Sequence, residues 1–396
     1  MIGSEEREAL IAAARALNPR IVAWRRTLHA MPELKMDTPN TERMIVSALN
    51  EIGIGNIRMG VGGHGVIAYI EGRLPGKCLA IRADCDGLPI REETGLPFAS
   101  ENGCMHACGH DAHTAIALGA AKLIHERRER LHGSVKLIFQ PYEEGDGGAK
   151  RMIADGVLDS PRVDAVVALH NAPDVEGQYR AGDILLANGP SSANIYAYRA
   201  EFHGTGAHVA KSATAVNPVY MACDAVMRIE ELAKADAATI NAVPLIHAGV
   251  RNNIIPETCV VEGSIRSFDR KKHRETVKAV HTILEAAARE RGGSVCVETT
   301  IDLMATENDS ALRERFRAVA SELFPGGVLN EKGERESIGE DFARYADSVP
   351  GLYFFLCTHP DGTAYPLHSP RFALNEDVLH IGSAAFAAFA LSWQEE

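Results

Sequence analysis

The segment MHACGHDAH, residues 105–113, holds Cys108, His110 and His113 within six residues. Cys108 and His110 are two apart. On a loop or at a strand end both can converge on one ion, whereas on a helix they would point about 200° apart. Gly109 between them permits the tight turn that convergence needs. A thiolate beside an imidazole suits zinc or a similar borderline divalent metal. Taken alone, the tripeptide is read equally well as a buried cysteine with histidines near it by chance. Other segments shift that balance. FQPYEEG sets Glu143 and Glu144 directly after the apolar run SVKLIFQ. Adjacent carboxylates at the end of a buried strand are costly unless a cation or a solvent-filled cleft receives them. On extended backbone they point to opposite sides, so one can ligate a metal while the other faces a substrate. VVALH ends on His170, and CLAIRADCDGLP carries Asp84 and Asp86 past its apolar run. Singly, Asp86-Gly87 reads as a turn and His170 as a capped strand end. Together these residues read as a metal-dependent hydrolase site.

Such residues need elements that deliver them to one edge. Short apolar runs at 64–70, 78–84, 134–140, 163–170 and 353–357 read as buried strands. Helical stretches alternate with them, at roughly 5–53, 112–130 and 148–155. That alternation predicts an α/β fold, a mainly parallel sheet with helices on both faces. The carboxyl edge of such a sheet is where open α/β folds place their sites. From about 190 the texture changes to strand 194–203, helix 217–234, strands 244–250 and 258–268, helix 270–291 and strand 294–301. This β-α-β-β-α-β order is the split ferredoxin-like unit. The sequence therefore predicts a catalytic domain in two parts, 1–189 and 306–396, carrying an inserted domain at 190–305.

Composition narrows the class. The chain has 396 residues, 46% hydrophobic and 24% charged, which is a soluble globular balance. Forty-one Lys plus Arg against fifty-three Asp plus Glu leaves a net charge of −12, so no basic face for nucleic acid or an anionic membrane is expected. No apolar run of about eighteen residues exists to span a bilayer. The amino-terminal stretch carries charges throughout and reads as an amphipathic helix, not a signal peptide. Eight scattered cysteines do not suggest a disulfide scaffold, and a cytoplasmic location is the expectation.

RADCDGLPI, MHACGHDAHTA, FQPYEEG, VVALH and YPLHSP closely resemble the hippurate hydrolase and auxin-conjugate amidohydrolase branch of the metal-dependent aminoacylase and carboxypeptidase superfamily. The likeness runs from RRTLHAMPEL at 25–34 to the carboxyl-terminal segment. It implies a two-metal catalytic domain with an inserted ferredoxin-like lid that serves as the dimerisation surface. It implies Cys108, His110, Glu144, His170 and His368 as metal ligands, with His110 or a carboxylate oxygen close to both ions. Glu143 resembles the catalytic base, and Asp84 a carboxylate behind the metals that holds a ligand or the base. His113 reads as a supporting or packing histidine. Zinc is the expected metal, with manganese, cobalt or nickel able to substitute. HGTGAH at 203–208 resembles the glycine-rich lid segment whose histidine, here His208, reaches across the dimer to the carbonyl oxygen as an oxyanion-type donor. Its alternative is a histidine beside a glycine-rich turn. Asn253 and Arg266 match lid residues that contact substrate polar groups or hold the lid strand. Three segments depart from the branch. VAKSATAVNP follows His208, SIGEDF precedes and includes Glu340 and Asp341, and Asn171 stands after His170 where an aliphatic residue is common.

The leading reading is an amidohydrolase that cleaves an N-acyl-L-amino acid, hippurate-like or N-acetyl, working as a homodimer or tetramer through its lid. An N-acetyl-diaminopimelate deacetylase or a dipeptidase-like relative is the alternative within that class. A cysteine-nucleophile hydrolase using Cys108 with His110 or His113 would leave Glu143, Glu144, His170 and His368 without a role. A non-catalytic metal-binding or scaffold protein has Glu143 and the complete ligand set against it.

Overall fold

The computed structural model describes residues 3–145, 147–172, 176–324, 329–330, 339–360 and 362–394. The chain runs α1 (Ser4–His29), α2 (Pro39–Ile52), β1 (Ile57–Val61), β2 (Gly65–Glu71), β3 (Leu74–Asp84), α3 (His110–His125), β4 (His132–Gln140), α4 (Gly148–Ala154), β5 (Ala165–Ala172) and β6 (Ile184–Leu185). It continues through β7 (Asn194–His203), β8 (Ala207–His208), α5 (Pro218–Ala235), β9 (Ile240–Ala248), β10 (Ile254–Ile255), β11 (Thr258–Ser267), α6 (Arg270–Glu290) and β12 (Ser294–Leu303). It ends with α7 (Ser310–Leu323), β13 (Leu329–Asn330), α8 (Ala343–Ala346), β14 (Gly351–Cys357) and α9 (Leu379–Ser392). Two compact units result: Met1–Ser191 with Glu307–Glu334 and Asp341–Glu396, and Ser192–Thr306 with Arg335–Glu340.

The first unit is built on an eight-stranded sheet of order β1-β2-β4-β3-β5-β14-β6-β13. Its centre is parallel, from β4 through β3 and β5 to β14, as the near-continuous apolar runs predict. The edges depart from that pattern, because β1 and β2 pair antiparallel, as do β2 with β4 and β6 with β14. Strand alternation divides the side chains between two cores. Leu79, Ile81 and Ala83 of β3, Val167 and Leu169 of β5 and Phe354 of β14 join α1, α2, α3, α7 and α9 in one. Ala80, Val166, Ala168, Tyr353 and Phe355 join Met152 and Tyr345, from α4 and α8, in the other. Each strand is thus apolar on both faces, which is why it lacks a polar period.

Local signals set the helix ends. Pro39 lies in the first turn of α2, and Gly53 closes it in the left-handed region at φ +96°. The sequence reads 5–53 as one helical stretch. The chain instead breaks after His29, and residues 30–38 carry the turn that separates α1 from α2.

The second unit has a four-stranded antiparallel sheet of order β12-β7-β11-β9, with α5 and α6 on one face. Phe202, Val261 and Ile265 of that face pack against Met221, Ala225, Val280 and Leu284. Asn217 caps α5 through Val219 N–H, and Asp269 caps α6 through Lys272 N–H.

Within the first unit a buried ionic contact ties α1 to α3. Arg25 Nε lies 2.7 Å from Asp111 Oδ2, with both side chains almost wholly buried. His29 Nδ1 approaches the same oxygen at 2.7 Å, and His29 Nε2 lies 3.1 Å from Glu92 Oε1. Burial opposes ionisation of Asp111, but Arg25 and then His29 outweigh it and hold its carboxyl far below the usual range. Asp111 is in the first turn of α3, so this contact sets where His110 begins. Replacing Arg25 by Met strands a carboxylate in the interior. It should cost about 3–5 kcal/mol, read as a lower urea midpoint of the metal-free protein. An unchanged midpoint would show that the ion pair anchors nothing.

Candidate metal centre

Strand register puts polar groups in one row. Asp84 pairs with Gln140 across β3 and β4, while Arg82 pairs with Ala168 across β3 and β5, so Asp84 is level with His170. Arg82, Asp84, Gln140 and His170 continue the alternation of Ala80, Ile138 and Ala168 on the α4 and α8 side of the sheet. All four are buried. The loop from β3 to α3 brings Cys108, and Gly109, at φ +90°, turns the chain into α3 at His110. The turn after β4 brings Glu143 and Glu144, entered through Tyr142 at φ +60°. His368 also has positive φ, +64°, and its N–H donates to Ala107 O at 2.9 Å. Left-handed non-glycine residues are costly and persist where the surroundings dictate them. Both lie at this edge of the sheet.

These segments converge. The ligand atoms of Cys108, His110 and His170 lie within 4.8 Å of one another, and so do those of Cys108, Glu144 and His368. A further group joins His110, Glu143 and Glu144 at the same limit. Cys108 is common to the first two groups, His110 to the first and third, and Glu144 to the second and third. Cys108 precedes the Gly109 turn, with Sγ 3.4 Å from His170 Nε2.

The histidines are held with one nitrogen presented. His110 Nδ1 donates to Asp86 O at 3.0 Å, and His170 Nδ1 donates to Asn171 O at 2.7 Å. Each therefore turns Nε2 toward the cluster, the arrangement metal-binding imidazoles adopt. His113 Nδ1 lies 2.5 Å from Asp84 Oδ1, behind the cluster. Asp86 accepts from the backbone N–H groups of Glu143 at 3.0 Å and Glu144 at 3.3 Å, which ties down the turn that carries both carboxylates. Glu143 Oε1 accepts from Asp341 N–H at 3.3 Å.

Charge is poorly balanced here. Burial, with Glu144 next, pushes the Cys108 thiol well above its ordinary value. Burial and then His113 push His170 well down. Burial resists the charge on His110, yet Asp84 and Cys108 raise it well above the usual histidine range. Burial likewise opposes Asp84, while His110 and Arg82 pull it well below the carboxylate range. The residues fit a divalent metal on two observations. His110 Nε2 and Glu144 Oε1 are buried 3.9 Å apart, and neither makes a hydrogen bond of acceptable geometry. The donors around them are a thiol, imidazoles and a carboxylate, the set that borderline divalent ions prefer.

Known proteins are similar to this chain over most of its length. Peptidase family M20/M25/M40 matches residues 80–392. The chain belongs to that family. This M20 protein is 33% identical over 384 residues to the N-acetylcysteine deacetylase of Bacillus subtilis, covering 96% of the chain and 98% of that relative. It is 31% identical to the IAA-amino acid hydrolase ILR1-like 4 of Arabidopsis thaliana, covering 93% of the chain and 84% of the relative. A crystal structure of a dinuclear metal binding peptidase of the M20 family from Bacillus subtilis superposes with a TM-score of 0.83 at 32% identity. It covers 96% of the chain and 99% of that structure.

The remaining expected residues of this M20 protein lie in its second unit. His208 ends β8, which pairs with β10, and Val209 N–H donates to Asn253 O at 3.0 Å, so the two positions are neighbours. Arg266 lies near the other end of β11, paired with Ile195 and Ile240. Eight residues of strand put it about 26 Å from Thr258. Of the departing segments, residues 209–214 form a 3₁₀ turn, while Ser337 and Ile338 lie outside the described residues. Sequence reasoning assigns no role to Arg82, Gln140 or Asp111. The signal for Arg82 is an arginine within an apolar strand, which requires buried acceptors. Asp86→Ala should remove the acceptor that ties down the turn carrying Glu143 and Glu144. Equilibrium dialysis against zinc should then give an affinity lower by about ten- to hundredfold, and full affinity would exclude this role.

Proposed function

We propose that this M20 protein hydrolyses the amide bond of an N-acyl-L-amino acid, either hippurate-like or N-acetyl, with Glu143 as general base. Family membership makes it a hydrolase of amide carbon–nitrogen bonds. The substrate reading is supported by relatives named as deacetylases of N-acetylcysteine and N-acetyldiaminopimelate and as hydrolases of IAA-amino acids. The observation that carries the mechanism is the convergence of Cys108, His110, Glu144, His170 and His368, with Glu143 beside His110 and Glu144.

Those five side chains would hold two divalent ions, zinc first because of the thiolate, with manganese, cobalt or nickel able to substitute. When bound, the ions polarise the scissile carbonyl and acidify an attacking water toward neutrality. Glu143 accepts the proton of that water on its carboxylate and then delivers it to the departing amine nitrogen. Its carboxylate is held by Asp341 N–H and its backbone, through its own N–H, by Asp86. Asp84, pinned by Arg82 at 2.8 Å and by His113, would stand behind His110 as a fixed negative charge. His208 and Asn253 would meet the substrate from a partner subunit, His208 donating to the carbonyl oxygen as its charge develops. Arg266 would hold the lid strand. Unit two would thereby serve as lid and dimerisation surface, in a homodimer or tetramer. A cytoplasmic setting would keep Cys108 reduced.

Treatment with a chelator should abolish hydrolysis of hippurate or N-acetyl amino acids, and zinc should restore it. Full activity in chelator would sink the metal reading and favour Cys108 as nucleophile. Glu143→Gln should retain metal and lose roughly a hundredfold or more in kcat. Glu144→Gln should instead lose metal, and equal metal loss in both would refute the division of roles. His208→Ala should cost about 10²–10³ in kcat with metal unchanged. Mixing His208→Ala with Glu143→Gln protomers should recover activity, because one mixed site holds both intact groups. No recovery after proven subunit exchange would remove His208 from a shared site.

A further inference from the structure

Asn171 directly follows His170, and hydrolysis as described makes no use of its side chain. It is 1% exposed, on β5. Three of its groups touch the centre. Its carbonyl oxygen accepts from His170 Nδ1 at 2.7 Å. Its N–H donates to His113 Nε2 at 3.0 Å. Its carboxamide reaches the same Nε2 at 2.7 Å. Because the backbone N–H donates to Nε2, that nitrogen carries a lone pair, and the ring proton sits on Nδ1 facing Asp84 Oδ1. Nε2 has one lone pair, which the carboxamide NH2 group shares with the backbone N–H once that end faces the ring. With the oxygen toward the ring, the NH2 group is buried without a partner, and turned to Nε2 it gains one.

The carboxamide also fills the space over the metal-site turn. A Cβ on Gly109 would stand 2.0 Å from Asn171 Oδ1. Cys108 and His110 flank that glycine, so their turn is packed against Asn171 and cannot relax toward it. From His113 the constraint passes to Asp84, whose Oδ2 accepts from Arg82 at 2.8 Å and lies 3.7 Å from His110 Nε2.

We propose that the Asn171 carboxamide is a positioning residue for the metal centre: it packs the Cys108-Gly109-His110 turn and holds His113 against Asp84, and thereby sets metal affinity. This rests on the two-metal reading. An aliphatic side chain of equal size would fill the space over Gly109 but would leave Nε2 with the backbone donor alone. Asp84 would then be held less firmly opposite His110.

The test is metal binding by metal-free protein, independent of turnover. Cobalt is followed by its thiolate charge-transfer absorption, which reports Cys108 ligation, and zinc by competition with a chromophoric chelator. Asn171→Leu should keep the melting temperature of the metal-free parent and raise both dissociation constants by about ten- to hundredfold, with a shifted cobalt band. In a His113→Phe background, Asn171→Leu should add nothing, since the carboxamide acts through that ring. If Asn171→Leu fails to fold, Asn171→Ser, smaller and still a donor, should fold and bind metal more tightly than Asn171→Ala. Parent-like dissociation constants in folded Asn171→Leu, full additivity with His113→Phe, or equal affinities of the Ser and Ala variants would overturn the inference. A parent protein that takes up neither cobalt nor zinc would sink the metal reading itself, and this inference with it.

Discussion

A guanidinium buried in the middle of a sheet is the constraint on which the site depends. Arg82 is 1% exposed, and a charge so placed is tolerable only when every donor is met. Its Nε donates to Gln140 Oε1 at 3.0 Å, and its terminal nitrogens donate to Asp84 at 2.8 Å and Asp341 at 2.7 Å. Gln140 in turn donates to both Asp341 oxygens at 2.8 Å, and Ala149 N–H donates to Asp341 Oδ2 at 2.9 Å. One cation thus binds β3, β4, the start of α4 and the segment at 341 into a single unit. Asp341 then offers its own N–H to Glu143, so the position of the proposed base follows from the satisfaction of a buried charge.

Beyond this cation, acidic groups and a thiol gather at one edge. Asp86, Glu143, Glu144 and Cys108 crowd the same edge, and burial raises the carboxyl of Asp86 as it raises the thiol of Cys108. Groups that resist ionisation in the metal-free protein are those that gain most from divalent cations. The fold holds them in an unfavourable arrangement because the two cores on either face of the sheet supply the stability. Helix α1 adds to this with the Arg25–Asp111 contact, which fixes the start of α3 from outside the sheet.

Much of this was legible in the amino-acid order. Apolar runs without a polar period indicate strands covered on both faces, and β3, β4, β5 and β14 are such strands. The second unit was equally legible, since its six main elements follow the split ferredoxin-like order and its helices begin at Asn217 and Asp269 caps. Edge strands were less so: β1 and the two-residue β6 and β13 are too short to show a period. At the centre, CGHD and EEG announce metal chemistry because thiol, imidazole and paired carboxylates are costly to bury for any other purpose.

Residue type and local spacing therefore determined the class of chemistry, the fold class and the elements that carry them, because those depend on period and on groups only a few residues apart. Which donors stand together and which residue supports them came only with the tertiary structure. Cys108, His110 and Glu144 each belong to more than one group because the Gly109 turn meets β5, the turn after β4 and the loop at His368, far apart in the chain. Arg82 finds Asp341 across 259 positions, and Asn171 finds His113 across 58. Such partners have no period and no fixed spacing. They are decided by which strands lie side by side, and register is a property of the folded sheet alone.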